Sequence, residues 1–226
     1  MFVKNIGLII AAICISVLSC SAQPPVVPVK SSTTQTAQTA EISETEWKIL
    51  TDALQAENWQ NASYRAQTLL ERLKIDNEKK QIAQLRYFYL YSLAGKILEY
   101  STTNRKAEQE VAWKELEQAA RNFTGREFVL PPRRYLGVCR EVVNYVCAVN
   151  DNEKALRITA TNRTATAIHS FEYIAFDEKV ALDKFSGREV FLGGQLKKVE
   201  FNRELSKPWV MRLTFEKGFA QIVVPK

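Results

Sequence analysis

The hydrophobic period of this chain changes near its middle. Between residues 43 and 124 apolar side chains recur at steps of three and four, the spacing of one face of a helix. From about residue 141 they alternate with polar ones, the spacing of a strand with one buried face. The two patterns cannot serve the same element, so the chain is predicted to be α+β, with helices first and strands after. Residues 125–140 read as the connector between a helical domain (43–124) and a β domain (141–226). Apolar residues make up 46% of the 226 and charged residues 25%, which excludes a largely disordered chain and a polytopic membrane protein.

The helical half divides into four segments. Ser43 followed by Glu46 reads as a capping box, and Trp47, Leu50 and Leu54, with Ile49 and Ala53, stripe the helix it opens. Asn58 breaks the run. Ala62, Ala66, Leu69, Leu70 and Leu73 stripe a second helix, and Ile75-Asp76-Asn77 ends it. Ile82 to Leu98 is apolar on nearly all sides and rich in Tyr, which predicts a central, buried third helix. Ser101 to Asn104 offers N-caps for a fourth, striped by Ala112, Leu116, Ala119, Ala120 and Phe123 and closed by Gly125.

Short breaks between four helices predict two stacked antiparallel hairpins. Trp47, Leu50 and Leu54, followed by Asn58-Trp59-Gln60-Asn61-Ala62, resemble the tetratricopeptide repeat. The second unit departs from that pattern: Gly95 to Asn104 is too long for the usual turn, and no Pro closes either unit. A self-standing solenoid needs at least three repeats, so this piece is expected to lean on the residues after it. The resemblance implies a groove, lined by first helices, that takes up a peptide or protein. Arg86, Tyr87 and Tyr91 are its candidate lining. Alternatively, the tyrosines pack the core with their hydroxyls toward water.

The strand half carries seven candidate strands. Val143 to Val149, Leu156 to Thr161 and Ile168 to Phe176 come first. Glu189 to Leu192 and Lys197 to Phe201 follow, divided by Gly193-Gly194. Trp209 to Glu216 and Phe219 to Val224 close the set, with Glu216-Lys217-Gly218 as a hairpin turn. Their number and spacing predict a small antiparallel β-sandwich of immunoglobulin-like type. The segments Leu156 to Asn162, Phe171 to Asp177, and Gly193-Gly194 before Val199 and Phe201 resemble small Ig-like domains of bacterial envelope proteins. That resemblance implies binding or spacing, not chemistry.

The N-terminus speaks about location. Lys4 precedes thirteen apolar or uncharged residues, Ile6 to Leu18. A membrane span needs about 20, whereas a signal-peptide core is this short. The run ends in Val17-Leu18-Ser19-Cys20, which resembles the bacterial lipobox. The resemblance implies a signal peptide over residues 1–19 and lipid attachment at Cys20. Several acyl chains on one residue anchor a protein stably where a single chain does not. Two other outcomes fit the same residues: cleavage after Ala22 to give a secreted protein, or an uncleaved anchor. Residues 20–42 then form a Pro/Ser/Thr-rich tether that has nothing to bury. Twenty such residues span roughly 25 Å on average. Loss of residues 1–19 removes Lys4 and lowers the net charge from +6 to +5. Arg133-Arg134 and Lys197-Lys198 are the densest basic spots, too short to make a nucleic-acid site.

Little in the chain suggests chemistry. His169 is the single His, with no Cys or carboxylate at metal-ligand spacing. There is no Gly-x-Ser-x-Gly and no phosphate-binding loop. No cofactor or metal site is predicted. Glu172 and Asp177 stand for the carboxylate pairs that a glycosidase would need. With Cys14 in the signal and Cys20 in the lipobox, Cys139 and Cys147 remain. A disulfide requires Cα atoms within about 7 Å. Arg140 to Val146 has no Gly or Pro to turn the chain, so two buried free thiols are expected.

The sequence thus predicts a lipid-anchored protein of the bacterial cell envelope, facing the periplasm, with the outer membrane favoured over the inner. It is expected to be a non-catalytic interaction or scaffold module that meets another envelope protein or polymer. The alternative is a carboxylate-dependent hydrolase acting on cell-wall glycan.

Overall fold

Four helices lead into a mixed β-sheet, as the change of period requires. The computed structural model describes residues 41–73, 80–137, 145–148, 156–158, 171–176, 182–205 and 210–224. The helices are α1 (Glu44–Gln55), α2 (Trp59–Leu73), α3 (Lys80–Thr102) and α4 (Lys106–Phe123). Ser43 opens α1 with the predicted capping box: its hydroxyl accepts from the Glu46 N–H, and its own N–H donates to the Glu46 carboxylate at 2.9 Å. Such a cap contributes about 1 kcal/mol. Glu57 turns the chain at φ 56°, and the Asn58 side chain accepts from the Asn61 N–H at the start of α2. The next boundary differs from expectation. Ser101 and Thr102 belong to α3, and Arg105 opens α4 without a side-chain cap. Gly125 stands just past α4 at φ 80°, and its N–H donates to the Leu196 carbonyl of the sheet at 2.7 Å.

The strands are β1 (Glu127–Val129), β2 (Arg133–Tyr135), β3 (Tyr145–Ala148), β4 (Leu156–Ile158), β5 (Phe171–Phe176), β6 (Glu189–Phe201) and β7 (Met211–Ile222), with one 3₁₀ turn at Leu182–Phe185. They join in one sheet of order β4-β3-β2-β6-β7-β5, with β1 also on β6. Two pairings, β2–β3 and β5–β7, are parallel, where alternation suggested antiparallel neighbours throughout. Alternation reports which face a residue takes; it carries no information on the direction of the neighbouring strand.

The stretch read as a connector is part of the sheet. β1 and β2 lie in line along one side of β6, with Leu130 donating to the Leu192 carbonyl between them. Pro131 and Pro132 have no N–H to give to a ladder. The chain takes four residues from Val129 to Arg133 where β6 takes three from Gly193 to Val190. The ladder absorbs the extra residue as a local bulge.

Two expected strand breaks are also absent. β6 runs straight through Gly193-Gly194, and β7 runs through Glu216-Lys217-Gly218. Lys217 adopts φ 49° and sits where two residues of β7, Lys217 and Gly218, oppose the single Gly194 of β6, between Gly193↔Phe219 and Gln195↔Glu216. The three-residue signal read as a turn is therefore a bulge. A Cβ on Gly193 would lie 2.6 Å from Cε1 of Phe219, so glycine is required there by close approach rather than by chain reversal.

Cys147 is buried in β3 and disulfide-bonded, which corrects the expectation of a free thiol. β2 and β3 run side by side with Tyr135 opposite Val146, and Leu136 donates to the Val146 carbonyl at 2.9 Å. Parallel pairing of two strands this close in sequence requires the chain to return between them, and Gly137 lies in that interval. Cys139 lies outside the described residues.

Helices and sheet share one hydrophobic core and one compact unit, Thr39–Lys226. Aromatic rings cross the boundary in sequence: Tyr89 of α3 meets Phe123 of α4, which meets Phe128 of β1, which meets Phe215 of β7. Each fully buried ring or Leu contributes about 1.5–3 kcal/mol. At the far end of α4, Arg203 pairs with Glu110 and Glu117 and lies over the Trp113 ring, while Trp113 meets Phe201 edge-on.

Candidate functional site

The three residues proposed to line a groove on the third helix lie largely inside the molecule. α3 is buried on nearly every side, as its composition predicted. Arg86 and Tyr87 are fully buried, and Tyr91 is mostly so. The Arg86 guanidinium donates through Nη1 to the Glu127 carbonyl of β1 at 2.8 Å. It therefore ties helix to sheet. Tyr87 and Tyr91 stack with ring centroids 5.5 Å apart, and Trp59 meets Tyr91 edge-on at 5.7 Å. Burial pushes the Tyr87 phenol far above its ordinary range, against the pull of Arg133 nearby. Burial raises Tyr91 as well. Both phenols stay neutral at ordinary pH and act as packing groups with a polar tip.

A second polar cluster joins α3 to α4. Lys96 is buried and its Nζ reaches the Glu115 carboxylate at 2.9 Å. Tyr89 lies among these helices, its pKa pushed up to about 12 by burial and then by Glu115 and Glu71. Lys96 and Glu115 thus satisfy each other within the fold.

An accessible groove lies on the α1–α2 hairpin. Glu46, Tyr64, Arg65, Thr68, Leu69 and Arg72 line this shallow open groove, which has a cavity volume of about 110 Å³. Antiparallel packing sets the start of α1 beside the end of α2, which brings Glu46 to Arg72 across 26 residues of sequence. Their bidentate ion pair forms one wall, with Arg72 also donating to the Glu41 carbonyl. The Arg72 guanidinium, helped by Ser43, holds the Glu46 carboxyl well down, at about 2. Tyr64 and Thr68, one helical turn apart on α2, stand on the outer face; Tyr64 is 67% exposed. Arg65 is half-buried, its Nε donating to Asn61 Oδ1 at 2.8 Å.

Sequence reasoning passed over these six residues as a functional set. The signal was present: a Tyr and an Arg on the polar side of an amphipathic helix whose other side is the Ala62, Ala66, Leu69 and Leu73 stripe.

Lys197 and Lys198 do not make a basic patch. Lys197 sits 3.6 Å from Glu216 and Lys198 sits 2.9 Å from Glu200, each neutralised by its neighbour. Cys20, His169 and Asp177 lie outside the described residues, as does the side chain of Glu172. Among the described residues no group of three His, Cys, Asp or Glu could hold a metal, and no helix is long and apolar enough to cross a membrane. Comparison with family models, with curated proteins and with solved structures finds no match.

Proposed function

We propose that this chain is a lipid-anchored module of the bacterial cell envelope that binds another envelope protein. The observation that carries the binding part is the α1–α2 groove, where Tyr64 stands exposed beside Arg65 on a rigid helical hairpin. Tyr and Arg are the residues that most often dominate interface energetics. The anchor rests on Val17-Leu18-Ser19-Cys20, with Cys20 as the lipidated residue and the tether to residue 42 lifting the folded unit away from the bilayer. The helical hairpins follow the tetratricopeptide-like reading and the sheet a role analogous to an Ig-like domain, with one departure. The ligand surface is set on the second helix of the first hairpin rather than on Arg86, Tyr87 and Tyr91.

Intact mass after detergent extraction tests the anchor: a mature chain starting at Gln23 without lipid ends that part of the proposal. Crosslinking in envelopes tests the module, which requires a reproducible protein partner.

A further inference from the structure

Resting on the interaction-module reading, we infer that the α1–α2 groove takes an acidic side chain with an aliphatic neighbour, presented by an extended segment of the partner protein. Charge balance within the groove points to that ligand. Glu46 and Arg72 cancel: the carboxylate accepts from both terminal nitrogens of Arg72 and from Ser43. Thr68 is satisfied internally, donating to the Tyr64 carbonyl at 2.9 Å. Arg65 is left as the unbalanced charge. Its one hydrogen bond goes to the neutral amide of Asn61, and no carboxylate of the described residues pairs with it. A planar guanidinium with its terminal nitrogens unengaged matches a carboxylate in a two-point fork.

The surroundings narrow the ligand further. One unbalanced cation suits a single carboxylate; a phosphate-bearing polymer would call for a row of cations. Leu69 on the floor and the exposed Tyr64 ring on the rim provide apolar contact for the residue next to the acid. A half-buried site strengthens the charge pairing relative to open water.

The test uses the full mature chain and fluorescein-labelled hexapeptides with Glu-Leu, Gln-Leu or Glu-Ser at the centre, read by anisotropy. The Glu-Leu peptide is expected to bind about tenfold more tightly than Gln-Leu, the difference made by a charge-assisted hydrogen bond. Arg65→Gln should erase that difference, Arg65→Lys should retain part of it, and Tyr64→Ala should weaken Glu-Leu toward Glu-Ser. Thermal midpoints close to that of the unsubstituted chain separate these effects from misfolding. Equal binding of the Glu and Gln peptides overturns the inference, and so does the absence of binding by every peptide at millimolar concentration. Recovery of the same crosslinked envelope partner by the unsubstituted and Arg65→Gln chains removes the groove assignment and leaves the module standing. Recovery of no partner by either removes both.

Discussion

The indole of Trp59 rests against the backbone of Gly95. A Cβ on Gly95 would stand 2.6 Å from Cε3 and 2.7 Å from Cε2 of that ring, inside any tolerable contact. Trp59 is buried at the start of α2, and Gly95 lies two-thirds of the way along α3, so this contact sets how closely the two helices approach. A glycine inside a helix costs about 1 kcal/mol relative to alanine. Here overpacking outweighs that propensity gain, because a rigid ring between two helices has little room to move. Gly95→Ala is expected to lower stability by about 1–3 kcal/mol, measured by urea unfolding. A stabilising result would mean that the indole is not held there.

Arg86 joins the helices to the sheet. Its replacement by Ala leaves the Glu127 carbonyl without this donor and opens space in a closed core. The expected loss is about 3 kcal/mol, read from the same unfolding curves. Arg86→Lys should recover only part, since an ammonium lacks the guanidinium's fork. A loss below about 1 kcal/mol for Arg86→Ala would show that the bond to β1 contributes little.

The Glu46–Arg72 pair sets a pH dependence with a definite sign. The folded pKa of Glu46 lies at about 2, below its ordinary 4.5, through hydrogen bonds from Arg72 and then Ser43. A depressed pKa gives stability that is complete above the ordinary value and lost as pH falls toward the folded one. Since the pair is solvent-exposed, the amount is under about 1 kcal/mol. Urea midpoints at pH 6 and pH 3 should differ more for the unsubstituted chain than for Glu46→Gln. Identical differences would mean that the pair has no energetic weight.

Cys147 is bonded, so alkylation under denaturing, non-reducing conditions should leave it unlabelled. On the proposed processing, in which residues 1–19 are removed and Cys20 carries lipid, Cys139 is the other cysteine left in the sequence. A closed loop between the two would stabilise the fold by about 2–3 kcal/mol, seen as a lower urea midpoint after reduction. A labelled Cys147 in the unreduced chain would contradict the bond.

The helices were legible because their signals are local. Ser43 and Glu46 lie three residues apart, and the stripes of α1, α2 and α4 sit within single segments. Strand faces were legible for the same reason: Met211, Leu213 and Phe215 are buried as their alternation with Arg212, Thr214 and Glu216 predicted. What could not be read depends on distant partners. Whether Gly193-Gly194 breaks a strand or lets one pass close to Phe128 and Phe219 is decided by residues some 25 to 65 positions away. β1 and β2 were hidden by Pro131 and Pro132, which are unfavourable in a strand unless a bulge removes the need for their N–H. Arg86, Tyr87 and Tyr91 stood as a binding set because the tetratricopeptide resemblance implies a groove lined by first helices, although the composition of α3 already pointed to burial. The β1 carbonyl that takes up Arg86 follows later in the chain, while Tyr91 packs on Trp59 of α2.

The central claim is that this is a binding module on a lipid anchor rather than an envelope hydrolase. It is tested most directly by affinity purification of the tagged chain from crosslinked envelopes, alongside incubation of the purified chain with cell-wall glycan. The account predicts a reproducible protein partner, lost on Arg65→Gln, and no release of glycan fragments. Glycan release without any reproducible partner would contradict it.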